Sequence, residues 1–148
     1  MCVIIDTNMI VNYINETEDM RPLRQRIENK KIKLISPPEN NNFWGEYTEN
    51  RDFTRLLIRY RNRNIMKIIP SEKLEQAEQE LALKEKKYKI KYKSNDFPIL
   101  VLAKASNTKL LVTYDKPLMK DFKNPGIIGG SIYQYKTQTK LLDSNQCP

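Results

Sequence analysis

Apolar residues recur along this chain in short runs that alternate between two spacings. Residues 3–5 are β-branched and continuous, the pattern of a strand buried on both faces. Asp6, Thr7 and Asn8 then lead into a helical segment with Ile10, Val11 and Ile14 at helical spacing. Thr17 or Asp19 is the expected cap of a further helix carrying Leu23 and Ile27, with Pro22 in its first turn. Ile32, Leu34 and Ile35 predict another strand, stopped by Pro37 and Pro38 and followed by a turn-rich loop to Asn42.

Residues 43–64 read as helix with a break near Asn50. Phe53, Leu56, Leu57 and Tyr60 form one apolar stripe, while Arg51, Arg55, Arg59 and Arg63 recur every fourth residue along a different face. Residues 65–69 predict a short strand ended by Pro70, and Ser71 the cap of a helix with Leu74, Ala77, Leu81 and Tyr88. Its lysine-rich tail, residues 84–93, is interleaved with Tyr88, Ile90 and Tyr92. Residues 94–105 are the most apolar helix, with Ser94, Asn95 or Asp96 as cap, Pro98 tolerated in the first turn and Asn107 as stop. Residues 110–113 predict a parallel strand, Ile127 and Ile128 another cut by Gly129 and Gly130, and Ser131 the cap of a last helix through Leu142. Strand and helix alternating from end to end predict an α/β protein, a three-layer α/β/α sandwich with a mostly parallel central sheet. The length of 148 residues fits one domain, residues 1–148.

Composition narrows the chemistry. No apolar stretch approaches the roughly 20 residues that span a bilayer, and the opening run lacks the basic flank of a signal peptide. Cys2 and Cys147 have neither metal-ligand nor redox spacing, so a cytoplasmic protein with reduced thiols and no membrane is expected. The chain has no histidine, which removes Ser-His-Asp and Cys-His catalysis and histidine metal ligation together. What remains is carboxylates, lysine, tyrosine, hydroxyls, or a metal held by oxygen, a donor set that favours Mg²⁺ or Mn²⁺ over zinc. The net charge is +8 and is uneven: residues 51–93 hold 13 Lys and Arg against 6 Asp and Glu. Such a segment is either a solvated helical surface or a dock for a polyanion backbone.

Four acids stand where carboxylates invite a cation. Asp6 and Asp115 end apolar runs, Asp96 opens the most apolar helix, and Glu46 lies in the segment after the second predicted strand. In an alternating α/β chain, the carboxyl ends of parallel strands and the helix starts beside them converge on one sheet edge. Two carboxylates about 5 Å apart repel by roughly 3 kcal/mol at an effective dielectric near 20, so several together need protons, basic partners or a divalent metal. Each also has a plainer reading: Asp6 and Asp96 as helix caps, Asp115 as a turn residue, Glu46 as an exposed helix residue. The arginine ridge is a solvated helix face or serves phosphate or a partner's acids, Trp44 and Tyr47 read as core or dimer contacts ahead of base-stacking platforms, and Lys116 and Lys120 either steady phosphate or screen the carboxylates.

The residues Val3-Ile4-Ile5-Asp6-Thr7-Asn8, Glu46, Asp96 before its apolar helix, and Val112-Thr113-Tyr114-Asp115 together resemble the PIN-domain nucleases over almost the whole chain. The resemblance implies a hydrolase that cuts RNA as an endoribonuclease, with Asp6, Glu46, Asp96 and Asp115 holding Mg²⁺ or Mn²⁺. It assigns substrate orientation to Asn8 and Thr113, and it leaves RNA contact to Arg51, Arg55, Arg59, Arg63 and Lys116. Small stand-alone members are often toxins of toxin–antitoxin pairs, inhibited by a small antitoxin protein and commonly homodimers. Many members carry a second aspartate two residues after the last; here that position is Pro117, with Asp121 a turn further on. Glu39 and Glu49 flank Glu46 as alternatives for the mid-chain acid. A catalytically degenerate module that binds RNA or protein without cleavage is the second reading. A phosphotransfer receiver would need paired acids after its first strand and an acceptor aspartate after its third, and the sequence has neither.

Overall fold

A computed structural model describes residues 2–88 and 97–144. Five strands form one all-parallel sheet in the order β3-β2-β1-β4-β5: β1 (Cys2–Ile5), β2 (Lys33–Ser36), β3 (Met66–Ile68), β4 (Leu110–Val112) and β5 (Ser131–Ile132). Between them run α1 (Ile10–Ile14), entered by a 3₁₀ turn at Thr7–Met9, then α2 (Arg21–Glu28), α3 (Asn42–Thr48), α4 (Arg51–Asn62), α5 (Ser71–Tyr88), α6 (Phe97–Ser106), α7 (Lys116–Lys123) and α8 (Thr139–Ser144). All four β1 residues are fully buried. Consecutive side chains of a strand point to opposite faces, so helices cover both sides of the sheet centre. The α/β sandwich is therefore the one the alternating pattern predicts.

Local chemistry explains most boundaries. The break at Asn50 is a helix start: its side chain accepts from the Phe53 amide at 3.1 Å and caps α4. Asn41 caps α3 in the same way, accepting from Phe43 at 2.8 Å. Asn64 and Asn107 follow α4 and α6 with φ of 57° and 52°, the left-handed backbone that asparagine tolerates better than most residues. α6 buries Ile99, Leu100, Val101, Leu102 and Ala103, and a helix apolar on all sides belongs in a core. The isoleucine, leucine and valine side chains each contribute about 1.5–3 kcal/mol through their burial.

Four expectations need correction. Ile127 and Ile128 are not a strand: they lie in a turn whose amides, with that of Gly129, all bond the Asn124 carbonyl at 2.9–3.1 Å. Their apolar signal comes from burial within that turn, and the edge strand starts at Ser131. Ser131 therefore caps no helix; the chain turns helical only at Lys136, where the Gln138 side chain accepts from the Gln134 and Tyr135 amides at 2.8 and 3.0 Å. Neither Thr17 nor Asp19 caps α2 through its side chain. The Thr17 carbonyl accepts from Met20 and Arg21 instead, and the Asp19 carboxylate takes the Lys136 amide at 3.0 Å. Cys2 is disulfide-bonded and fully buried, so the expectation of reduced thiols fails there. Asp96 and residues 89–93 of the lysine-rich tail lie outside the described residues. Among the described residues, no helix is long and apolar enough to cross a membrane.

Candidate functional site

The chain builds the sheet outward from β1 through β2 to β3, then returns to add β4 and β5 on the other side. The order reverses between β1 and β4, and in open parallel sheets the crevice beyond the strand ends at such a reversal is where ligands bind. Asp6 and Thr113 are the first residues past those two strands. The Asp6 amide extends the pairing by donating to the Val112 carbonyl at 2.9 Å, which locks the two chain ends side by side.

Asp6 is only 4 % exposed. The Thr113 hydroxyl donates to its Oδ2 at 2.6 Å, and the Thr7 hydroxyl reaches Oδ1 at 3.4 Å. Burial raises the Asp6 carboxyl above the ordinary aspartate value; the Thr113 and Thr7 hydrogen bonds oppose that rise, and the Asp115 charge adds to it. Thr113, itself fully buried, also accepts the Asp115 amide at 3.0 Å. Asp115 turns out to be a helix cap, taking the Leu118 amide at 3.2 Å through Oδ1 and starting α7 with Pro117 in its first turn.

Glu46 reaches the same edge through Tyr47. The Tyr47 ring is buried against Phe43 and Phe53, at centroid distances of 4.6 and 5.2 Å, and its hydroxyl donates to the Ile5 carbonyl. This pins α3 over the end of β1. Glu46 is exposed, yet its carboxyl is raised by partial desolvation, then by the Asp6 charge, then by Glu49. It lines a cleft of about 420 Å³ with Thr7, Asn8, Ile10, Val11, Glu49 and Asn50. Asn8 does not bond the Asp6 carboxylate; it braces the neighbouring loop, accepting the Tyr114 amide at 3.3 Å and pointing Nδ2 at the Thr113 hydroxyl at 3.5 Å.

The structure thus brings Asp6, Glu46, Asp115, Asn8 and Thr113 to one edge, while Asp96 lies outside the described residues. Of the two alternatives to Glu46, Glu49 shares the cleft, whereas Glu39 faces Arg61 at 2.5 Å. Asp121 is buried in α7 and is not part of the cleft lining. Lys116 is exposed at the start of α7. The arginine ridge is largely engaged within the chain: Arg55 lies 3.9 Å from Asp52, Arg59 lies 3.7 Å from Glu28, and Arg63 donates to the Glu28 carbonyl at 3.1 Å. Arg51, next to Asn50 of the cleft, is exposed. Sequence reasoning missed the role of Tyr47 as the tie between α3 and β1. The available signal was that a tyrosine on a buried face needs a partner for its hydroxyl.

The acidic set consists of hard oxygen donors, the Asp115 charge adding to the rise of the Asp6 carboxyl and the Asp6 charge to that of Glu46, and among the described residues no ion pair offsets Asp6, Glu46 or Asp115. That chemistry fits a hard divalent cation such as Mg²⁺ or Mn²⁺. Among the described residues alone, no three acidic side chains converge tightly enough to enclose an ion.

A parallel α/β sheet with uncompensated carboxylates at its switch point defines an acidic-cleft α/β domain. The PIN-domain family model matches residues 3–123, and the chain belongs to the PIN-domain family, whose members are generally nucleases that use divalent metals. Among solved structures, it is similar to the crystal structure of VapBC2 from Rickettsia felis bound to a DNA fragment from their promoter. That match has 20 % identity, covers 90 % of this chain and 100 % of that one, and has a TM-score of 0.57. At this identity the likeness carries the fold. No curated protein matches the chain.

Proposed function

We propose that this protein is an endoribonuclease that hydrolyses RNA phosphodiester bonds with Mg²⁺ or Mn²⁺, within a single domain spanning residues 1–148. The observation that carries the reading is the electrostatic coupling of Asp6 to both Glu46 and Asp115 at the β1–β4 edge. Asp6, Glu46 and Asp115, with Asp96, would hold the cation. Bound there, a divalent ion lowers the pKa of an attacking water and offsets charge on the scissile phosphate. Thr113 keeps the Asp6 carboxylate in one orientation through its 2.6 Å bond, and Asn8 holds the neighbouring loop by accepting the Tyr114 amide. Lys116 and Arg51 flank the acids and suit the non-reacting phosphates of the strand.

The family match and the VapBC2 likeness support a toxin whose partner is a small antitoxin protein; its action as a homodimer in the cytoplasm is part of the same proposal. One observation favours the second reading, an RNA- or protein-binding module without cleavage: Pro117 stands where many family members carry a second aspartate. Cleavage of mixed-sequence single-stranded RNA in Mn²⁺, Mg²⁺ or EDTA, with Asp6→Asn alongside, separates the two. Metal-dependent cutting that vanishes in the variant supports the nuclease. RNA affinity that persists in chelator, with no cutting in manganese, assigns the binding module.

A further inference from the structure

We propose that Tyr114 is a stacking platform for an unpaired nucleobase of an RNA strand entering the acidic cleft; this rests on the ribonuclease reading above. Tyr13, Tyr47, Tyr60 and Tyr133 are fully buried, as tyrosines of an α/β core are expected to be. Tyr114 and Tyr135 differ, being 51 % and 53 % exposed, and of these two Tyr114 lies between Thr113 and Asp115, the two residues that tie its loop into the acidic site.

An exposed ring is usually mobile, but this one is held at both ends. Its hydroxyl accepts from Asn12 Nδ2 at 2.9 Å and its amide donates to Asn8 Oδ1 at 3.3 Å. Asn8 and Asn12 belong to the 3₁₀ turn and to α1, and between them Val11, 57 % exposed, lines the cleft. Among the described residues, no other aromatic ring packs against Tyr114. The result is a fixed aromatic face, open to solvent, on the residue next to Asp115 and tied to Asn8 of the cleft lining. A fixed ring loses little conformational freedom on binding, which favours it as a contact. Every base has a π-face, so stacking there accepts many sequences, but it requires a base free of its duplex neighbours. The cleft should therefore prefer single-stranded RNA with weak base preference.

The test uses the full chain, in Ca²⁺ to measure binding, and single-stranded RNA carrying 2-aminopurine at each position in turn. In wild type and Tyr114→Trp, binding should quench the fluorescence at one or two positions only, and Tyr114→Ala should abolish that quench. Tyr114→Ala should bind about tenfold more weakly, the scale of one lost base–aromatic stack. An abasic nucleotide at the quenched position should weaken wild type by the same factor and leave Tyr114→Ala unaffected, a dependence that a merely structural tyrosine would not produce. Equal weakening of Tyr114→Ala on intact and abasic RNA overturns the stacking. So does unchanged affinity. Wild type that cuts RNA in Mn²⁺ without any position-specific quench overturns the stacking alone. Wild type that neither binds nor cuts overturns the ribonuclease reading and the stacking with it.

Discussion

Replacing Thr113 with valine keeps nearly the same shape and removes one hydroxyl from the centre of the site. That oxygen donates to Asp6 at 2.6 Å and accepts the Asp115 amide at 3.0 Å, while its 3.5 Å contact with Asn8 is too long to weigh. A hydrogen bond to a charged group contributes about 1.5–3 kcal/mol, and an amide left without an acceptor costs about 1–3 kcal/mol, less where water reaches it. Thr113→Val should therefore destabilise the metal-free protein by about 2–4 kcal/mol at neutral pH. The pH dependence gives the sharper check. Burial raises the Asp6 carboxyl in the folded state, so the folded chain binds that proton more readily than the unfolded chain. Stability then falls as pH rises from the ordinary aspartate range through the raised value. The Thr113 bond opposes the rise; without it the carboxyl climbs further and the variant loses stability more steeply. Urea denaturation in EDTA, at neutral pH and at about pH 4, should show a penalty that shrinks when Asp6 is protonated. An equal penalty at both pH values, or one below about 0.5 kcal/mol at neutral pH, would refute the reasoning.

Asp6→Asn should abolish cleavage yet raise the melting temperature of the metal-free protein at neutral pH, because a buried charge is removed at nearly constant volume; thermal melts across the acid to neutral range should also lose part of their pH slope. A lower melting temperature at neutral pH would count against the desolvation argument. Gly130→Ala should destabilise by about 2 kcal/mol or more by overpacking, since its Cβ would stand 2.2 Å from Phe122 Cε1 and 2.9 Å from the Lys109 carbonyl. Gly45→Ala, with nothing within 4 Å on α3, should stabilise the protein, and urea midpoints compare the two. The helix-interior gain is about 0.5–1 kcal/mol. Arg51→Gln should reduce the slope of log affinity against log salt for RNA by about one, whereas Arg59→Gln, already facing Glu28, should leave it unchanged. Equal slopes for both variants would remove Arg51 from the RNA contact.

What was legible in the sequence was what local chemistry decides. The β-branched run at residues 3–5 and the apolar run at residues 110–112 are strands because continuous apolar residues suit a doubly covered sheet, and Asn50 and Asn107 mark helix boundaries because asparagine both caps and tolerates positive φ. The errors fell where tertiary contact overrides the local pattern. Ile127 and Ile128 are apolar because the turn after α7 is buried, a fact no window of sequence contains. Asp19 looked like a cap and instead holds the Lys136 amide, 117 residues away. The acids at Asp6 and Asp115 were found because each ends an apolar run. Their convergence with Glu46 depends on the Tyr47 hydroxyl reaching Ile5, a contact between elements 42 residues apart.

The placement of charge follows a consistent logic across the fold. Glu28 faces Arg24 and Arg59, Glu39 faces Arg61, Asp143 faces Arg26 and Glu18 faces Lys136. The acids at the sheet edge are treated differently: among the described residues, the contacts that orient Asp6 are the hydroxyls of Thr113 and Thr7. Hydroxyls fix a carboxylate without neutralising it. A basic partner would have stabilised Asp6 in the folded chain and also met the charge a metal ion would otherwise meet. An acidic edge without an ion pair among the described residues is therefore costly to folding and suited to binding a cation, and that opposition explains why one residue, Thr113, carries so much of both.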